Sequence, residues 1–172
     1  MIRKPIKMRA LHHGFIALAL AAGLVAGVFL TFSDFVMRAL FASSPAAGSE
    51  AMQLINRKVY ASIFMVLLMG LVPITMTIAG YAFLRLDGPL ATVLGLGAVL
   101  YLFGVFLVTV VGNVPMNQTL DAMPLGGPEA QAYWPSYVRG WTLWNHLRWI
   151  ASAGAAICYM LAAVLMAQSH AA

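Results

Sequence analysis

The sequence predicts an all-α protein, a four-helix transmembrane bundle built as a single integral membrane domain over residues 1–172. Hydrophobic residues make up 62% of the chain and charged residues only 9%, with a mean hydropathy of +0.88. A soluble domain carries about 25% charged residues, so this chain has too few to cover a surface that faces water. The apolar residues also gather in four segments near the roughly 20 residues that cross a bilayer.

The first predicted helix covers residues 14–33 and follows a basic N-terminal tail. Its apolar stretch is longer than the roughly 7–15 residues of a signal-peptide core, so we interpret it as a retained membrane helix. The second predicted helix covers residues 59–84 and contains Pro73, which is expected to kink it.

A tight turn separates the second helix from the third, which is predicted over residues 90–112. The turn is the run Leu-Asp-Gly-Pro at 86–89, and it joins the two helices into a hairpin. The fourth helix is predicted over residues 146–168. The remaining segments, 37–58 and 113–145, are predicted as loops.

Basic residues predict the orientation. Four of them lie within the first nine residues of the chain, and cytoplasmic segments are enriched in Lys and Arg. We therefore expect a multi-pass protein of a cell membrane, the bacterial inner membrane, with both termini cytoplasmic and membrane lipid around it. The other basic residues are scattered along the chain, so no nucleic-acid partner is expected. Five of these other basic residues fall on the predicted outer side. The predicted orientation therefore depends on the clustering of basic residues in the N-terminal tail.

Small residues recur on one face of three predicted helices, which lets helix backbones approach closely. This pattern predicts packing within the bundle, and a homo-oligomer is the alternative use of such faces. The three sets are Ala19, Gly23 and Gly27; Gly97, Gly104 and Gly112; and Ala151, Ala155 and Ala162.

Polar residues gather at the outer ends of the predicted helices, whereas the inner ends carry few. Polar side chains at membrane depth usually face the bundle interior or a water-filled cavity. The sequence therefore predicts one polar pocket near the outer face. The residues expected at this level are Asp34, Asn56, Asn113, Asn117, Asn145, His146 and Arg148.

All four tryptophans lie between residues 134 and 149, next to the same polar residues. In a helix Trp141, Trp144, Asn145 and Arg148 share one face, whereas His146 points roughly 100° away from Asn145. The alternative is an aromatic belt at the head-group level.

Each polar residue also has a structural explanation. Asp34 and Arg38 are spaced for an i,i+4 salt bridge, and Asn145 is suited to cap the fourth helix. Arg148 is able to reach lipid phosphate, and His146 to bond a backbone carbonyl.

No metal site or cofactor is expected. Cys158 is the single cysteine, and no helix carries a His-x-x-His or Glu-x-x-His pair. Asp34 and His146 would be the two available ligands, which is too few for a structural metal.

Two motifs carry a family resemblance. The run Gly-Asn-Val-Pro-Met-Asn at 112–117, followed by Trp141-x-x-Trp144-Asn145-His146-x-Arg148, resembles the anthrone-oxygenase-like family of small integral membrane proteins. Phe-Ser-Asp-Phe at 32–35 and Met-Gln-x-Ile-Asn at 52–56 fit the same pattern, so the resemblance covers about residues 18–165.

The resemblance implies a cofactor-independent oxygenase that oxidises a hydrophobic aromatic substrate, an anthrone, to an anthraquinone with dioxygen. Such a reaction needs a base, donors near an enolate oxygen and an aromatic slot. The expected catalytic residues are His146 or Asp34 as the base and Arg148 as the anion stabiliser. The expected substrate-binding residues are Asn113, Asn117, Tyr137, Trp141, Trp144 and Asn145. The alternative is a non-enzymatic protein, either a lipid- or quinone-binding protein or an accessory subunit.

Overall fold

The computed structural model describes residues 3–168, with side chains described from residue 10 onward. The described residues form helices and no strand. Four helices are long and apolar enough to cross a membrane, and we call them the first to fourth spans: Ala10–Ala42, Ile63–Arg85, Gly88–Asp121 and Pro128–Gln168. The predicted all-α fold with four membrane helices is confirmed.

The helices extend well beyond the apolar segments. In chain order the α-helices are Arg3–Thr31, Met37–Ala42, Pro45–Lys58, Ile63–Arg85, Gly88–Val99, Val114–Asp121 and Pro128–Gln168. A short 3₁₀ turn covers Val59–Ala61, and π-helical stretches cover Phe32–Val36, Leu100–Leu107 and Thr109–Asn113. The prediction of loops at 37–58 and 113–145 is wrong, because hydrophobic length detects only the part of a helix inside the hydrocarbon.

The first and fourth spans form the most extensive contact of the bundle. The fourth span also packs along the third, and the second span contacts both the first and the third. Pro73 lies inside the second span, which stays helical through that position. The predicted hairpin turn is confirmed between Arg85 and Gly88. Gly88 has φ of +69°, a conformation that glycine adopts without steric cost.

The glycines of the third span allow close contact with the fourth. A Cβ added at Gly104 would lie 2.5 Å from the Cβ of Ala151, and one added at Gly112 would lie 2.6 Å from the Trp144 ring. These glycines therefore pack within the bundle, as predicted. The first span differs, because Gly23 and Gly27 are exposed and a Cβ added at either would meet no atom of another element within 4 Å. Their predicted role in bundle packing is wrong.

Helix Pro45–Lys58, which we call the cap helix, covers one end of the bundle and contacts the fourth span. Its Gln53 is fully buried and anchors the segment before the fourth span. Gln53 Nε2 donates to the carbonyls of Leu120 (2.9 Å) and Met123 (3.0 Å), and its Oε1 accepts from the Gly126 N–H (3.0 Å). The cap helix is thus held by hydrogen bonds that its sequence pattern did not reveal.

Candidate functional site

A cavity of about 400 Å³ lies between the first three spans and the cap helix, with Trp141 and Arg148 of the fourth span on its wall. This volume is within the range of small-molecule sites. Most of the wall is apolar: Val28, Phe29, Phe32, Met52, Ile55, Val59, Tyr60, Phe64, Met65, Leu68, Met69 and Val114. The polar wall residues besides Arg148 are Asn56, Thr109, Asn113 and Asn117.

Arg148 is the charged group of this cavity and is only 5% exposed. Its Nη2 donates to Asn145 Oδ1 at 2.7 Å, whereas its buried Nε has no hydrogen-bond partner. The guanidinium carbon lies 4.2 Å from the centroid of the Phe29 ring and 5.1 Å from that of Trp141. The ion pairs of the described residues do not include it. Arg148 is therefore a buried cation that no described carboxylate neutralises.

Asn145 holds Arg148 in place from behind the cavity wall. Its side chain is fully buried, and its Nδ2 donates to the Phe29 carbonyl at 2.6 Å and to Ser33 Oγ at 2.7 Å. These acceptors lie where the first span changes from α to π geometry, a distortion that is frequent at functional sites. Because the fourth span begins at Pro128, Asn145 does not cap it.

The two asparagines of the third span bond to the fourth. Asn113 Nδ2 donates to the Trp141 carbonyl at 3.1 Å, and its Oδ1 is buried without a partner. Asn117 Oδ1 accepts from the Tyr137 hydroxyl and from Trp141 Nε1, both at 2.8 Å. The polar part of the wall therefore includes the cation Arg148 and Asn113, whose buried Oδ1 has no partner.

The predicted aromatic residues divide between the cavity wall and its support. Trp141 lines the cavity, whereas Tyr137 is fully buried behind it and stacks on Trp141 with ring centroids 6.4 Å apart. Trp134 extends this stack at 5.6 Å from Tyr137. Trp144 packs against Gly112 and is 36% exposed, outside the cavity wall. Tyr137 and Trp144 thus lie outside the wall they were expected to form.

His146 and Asp34 do not line this cavity, so the expectation that they converge with Arg148 is wrong. His146 lines a separate groove, because one helical step turns it away from Asn145. Asp34 pairs with Arg38 at 3.1 Å, and these side chains are 63% and 76% exposed. The salt-bridge alternative for Asp34 is therefore the one the geometry supports. Among the residues that the structure describes, no His, Asp or Glu side chain lines this cavity.

The apolar wall that the first and second spans supply was not predicted from the sequence. Phe29, Phe64 and Leu68 are ordinary residues of apolar segments, and only their neighbours in space distinguish them. The cavity also borders the outer surface of these two spans. Val28 and Met69, which are 36% and 38% exposed, are part of its wall.

No group of three or more His, Cys, Asp or Glu side chains suited to a metal ion occurs in the part of the chain that the structure describes.

The model of the anthrone oxygenase family matches residues 57–158 of the chain. The chain belongs to the anthrone oxygenase family. The matched region contains the whole of the second and third spans. It also contains Asn113, Asn117, Trp141, Asn145 and Arg148. The predicted family resemblance is confirmed. The comparisons with curated proteins and with solved structures gave no match.

Proposed function

We propose that this member of the anthrone oxygenase family oxidises a flat, hydrophobic anthrone-type substrate with dioxygen in the cavity beside Arg148. Arg148 would hold the oxygen of the substrate as that oxygen becomes negatively charged. The observation that carries the proposal is a buried arginine, facing an apolar cavity, that no described carboxylate neutralises.

Electrostatics support this role. A buried charge without a partner is costly, and stacking on Phe29 and Trp141 offsets only part of that cost. An anionic ligand oxygen would supply the missing charge and bond the free Arg148 Nε–H. Such a preorganised donor in an apolar site stabilises an anion much more than it would in water.

The proposed reaction balances as anthrone plus dioxygen giving anthraquinone plus water. The ring methylene opposite the carbonyl loses a proton, which gives an electron-rich enolate with its charge on the carbonyl oxygen. The enolate transfers electrons to dioxygen and forms a carbon–oxygen bond at the former methylene, and the resulting peroxide anion takes a proton back from water. Loss of water from the resulting hydroperoxide leaves the second carbonyl, so the substrate is oxidised and dioxygen is reduced.

The positions of the ionisable groups change the expected roles. His146 and Asp34 were expected to accept the proton, but neither lines the cavity. We propose instead that Arg148 makes the substrate more acidic by stabilising its enolate and that water receives the proton. The unpaired Oδ1 of Asn113 would accept a hydrogen bond from a substrate hydroxyl and so orient the ring.

Oxygen consumption by membranes that contain the protein, supplied with an anthrone, tests this proposal. Arg148→Gln should lower turnover about 10²–10³-fold, the usual effect of removing one such donor. Arg85→Gln is the matched control, because Arg85 is exposed at the far end of the second span and should leave turnover unchanged.

A chelator should not change the rate, since no metal is part of the proposed reaction. Turnover that chelation abolishes and a metal restores would refute the cofactor-free mechanism. Full activity of Arg148→Gln would show that Arg148 does not take part in the reaction.

The alternative is a non-enzymatic lipid- or quinone-binding protein or an accessory subunit. Its support is that the cavity borders the surface between the first and second spans, where Val28 and Met69 are exposed. A quinone carbonyl would accept from Arg148 without any reaction. Retention of a quinone with no oxygen consumption for any anthrone would favour this alternative.

A further inference from the structure

A second groove, of about 370 Å³, lies between the end of the first span and the fourth span. The groove shares no lining residue with the cavity beside Arg148. Its apolar walls are Met37, Phe41, Val138 and Leu143, and its polar residues are Arg38, Arg139, Thr142 and His146. The groove combines apolar walls with basic side chains, and the proposed oxidation uses none of these residues.

The sequence places this groove at the level of the lipid head groups. The apolar segment of the first span ends near residue 33, and that of the fourth span begins near residue 146. The groove residues at 37–41 and 138–143 therefore lie just beyond the hydrocarbon. Phe41 and Leu143 are nevertheless 51% and 63% exposed.

The charge of the groove is positive. Arg139 is exposed and forms no ion pair with a residue that the structure describes. Arg38 uses Nη2 to bond Asp34, and a guanidinium has further N–H donors for another acceptor. Arg139, Thr142 and His146 are spaced along one face of the fourth span, and the buried hydroxyl of Thr142 has no partner.

We propose that this groove binds an anionic phospholipid of the surrounding membrane. The phosphate contacts Arg38 and Arg139, whose guanidinium groups suit phosphate geometry, and the first part of an acyl chain covers Phe41 and Leu143. An anionic head group matches the positive rim, and the acyl chain matches walls that water would otherwise contact. A zwitterionic lipid has the acyl chain that matches the apolar walls, but it lacks the net negative charge that matches the positive rim.

Native mass spectrometry of the full chain in detergent tests the proposal. The protein is offered equal amounts of phosphatidylglycerol and phosphatidylethanolamine with identical acyl chains, and the ratio of the bound lipids is measured. The wild-type chain should retain mainly phosphatidylglycerol. The double variant Arg38→Gln/Arg139→Gln should lower that ratio roughly 30-fold, as expected from the loss of two basic residues near an anionic lipid.

The matched control is Lys58→Gln/Arg85→Gln, which removes two exposed positive charges outside the groove and should keep the wild-type ratio. Helical circular dichroism of both double variants must equal that of the wild type. Leu143→Glu is an independent variant that repels the phosphate from the apolar wall and should also lose phosphatidylglycerol.

Equal retention of the two lipids by the wild-type chain would overturn the proposal. An equal loss in the control would also overturn it, because net charge rather than the groove would then explain the preference. Displacement of the bound lipid by inorganic phosphate alone would mean that the apolar walls take no part. None of these outcomes depends on oxidation of an anthrone.

Discussion

At the residue scale, Arg148 and Asn145 act together although only Arg148 lines the cavity. Asn145 bonds the first span through its Nδ2 and Arg148 through its Oδ1, so one amide satisfies three buried groups. Buried polar networks of this kind fix one arrangement when every member is paired. Beyond the Nη2–H bond to Asn145, Arg148 keeps further N–H donors, and its buried Nε–H has no partner among the described residues.

Asn145→Asp should weaken the stabilisation of the enolate without removing Arg148. The new carboxylate would give Arg148 a counter-charge inside the protein, so we expect kcat/KM for an anthrone to fall at least about tenfold, or roughly 1.4 kcal/mol of transition-state stabilisation. The loss of the Nδ2 donor should also lower the thermal unfolding midpoint, because the Phe29 carbonyl then lacks its partner.

Gln118→Glu is the control for this prediction, since it adds the same charge at an exposed position of the third span. Kinetics of oxygen consumption against anthrone concentration give the kcat/KM of each variant. An unchanged kcat/KM in Asn145→Asp would argue that Arg148 does not stabilise the enolate as a cation.

At the scale of elements, the contact between the third and fourth spans depends on glycine residues. Gly112 lies directly under the Trp144 ring, and an added Cβ there would be 2.6 Å from ring atoms. The π-helical geometry of residues 109–113 belongs to the same part of the third span and brings Thr109 and Asn113 to the cavity. Packing and site geometry are therefore coupled at this point.

Gly112→Val should destabilise the bundle by about 1–3 kcal/mol, the usual cost of overpacking, and should lower the thermal unfolding midpoint in detergent. Gly23→Val is the matched control, because a Cβ added at Gly23 would meet no atom of another element within 4 Å. If Gly23→Val proved as destabilising as Gly112→Val, the first span would have a partner on this face, such as a second copy of the chain.

At the scale of the whole molecule, the cavity, the cap helix and the groove all lie toward the same end of the bundle. The orientation of that end is a proposal from the basic N-terminal tail, whose side chains lie outside the described residues. Under that proposal both termini are cytoplasmic, and the cap helix faces the outside.

Labelling with a membrane-impermeant maleimide in intact cells tests this orientation. Ser43→Cys and Leu125→Cys, both at exposed positions between helices, should be labelled from outside. Asp87→Cys in the turn between the second and third spans should be labelled only after the membrane is opened. The native Cys158 is buried in the fourth span and gives the background. The reverse pattern would invert the topology.

The number of spans, the turn before Gly88 and the family could all be predicted from the sequence, the family through Asn113, Asn117, Asn145 and Arg148. These features follow from hydrophobic length, from local turn chemistry and from motifs along one chain. The sequence also indicates the end of the bundle where polar residues gather, since chain direction alternates from span to span.

Which of those polar residues face the cavity depends on how the four spans pack together. A helix presents residues around its whole circumference, and the rotation of each span is fixed by its neighbours rather than by its own apolar length. This is why Arg148 faces the cavity while His146, two positions earlier, lines the second groove. The walls from Phe29 and Leu68 and the anchoring of the cap helix by Gln53 likewise depend on partners that are distant in sequence.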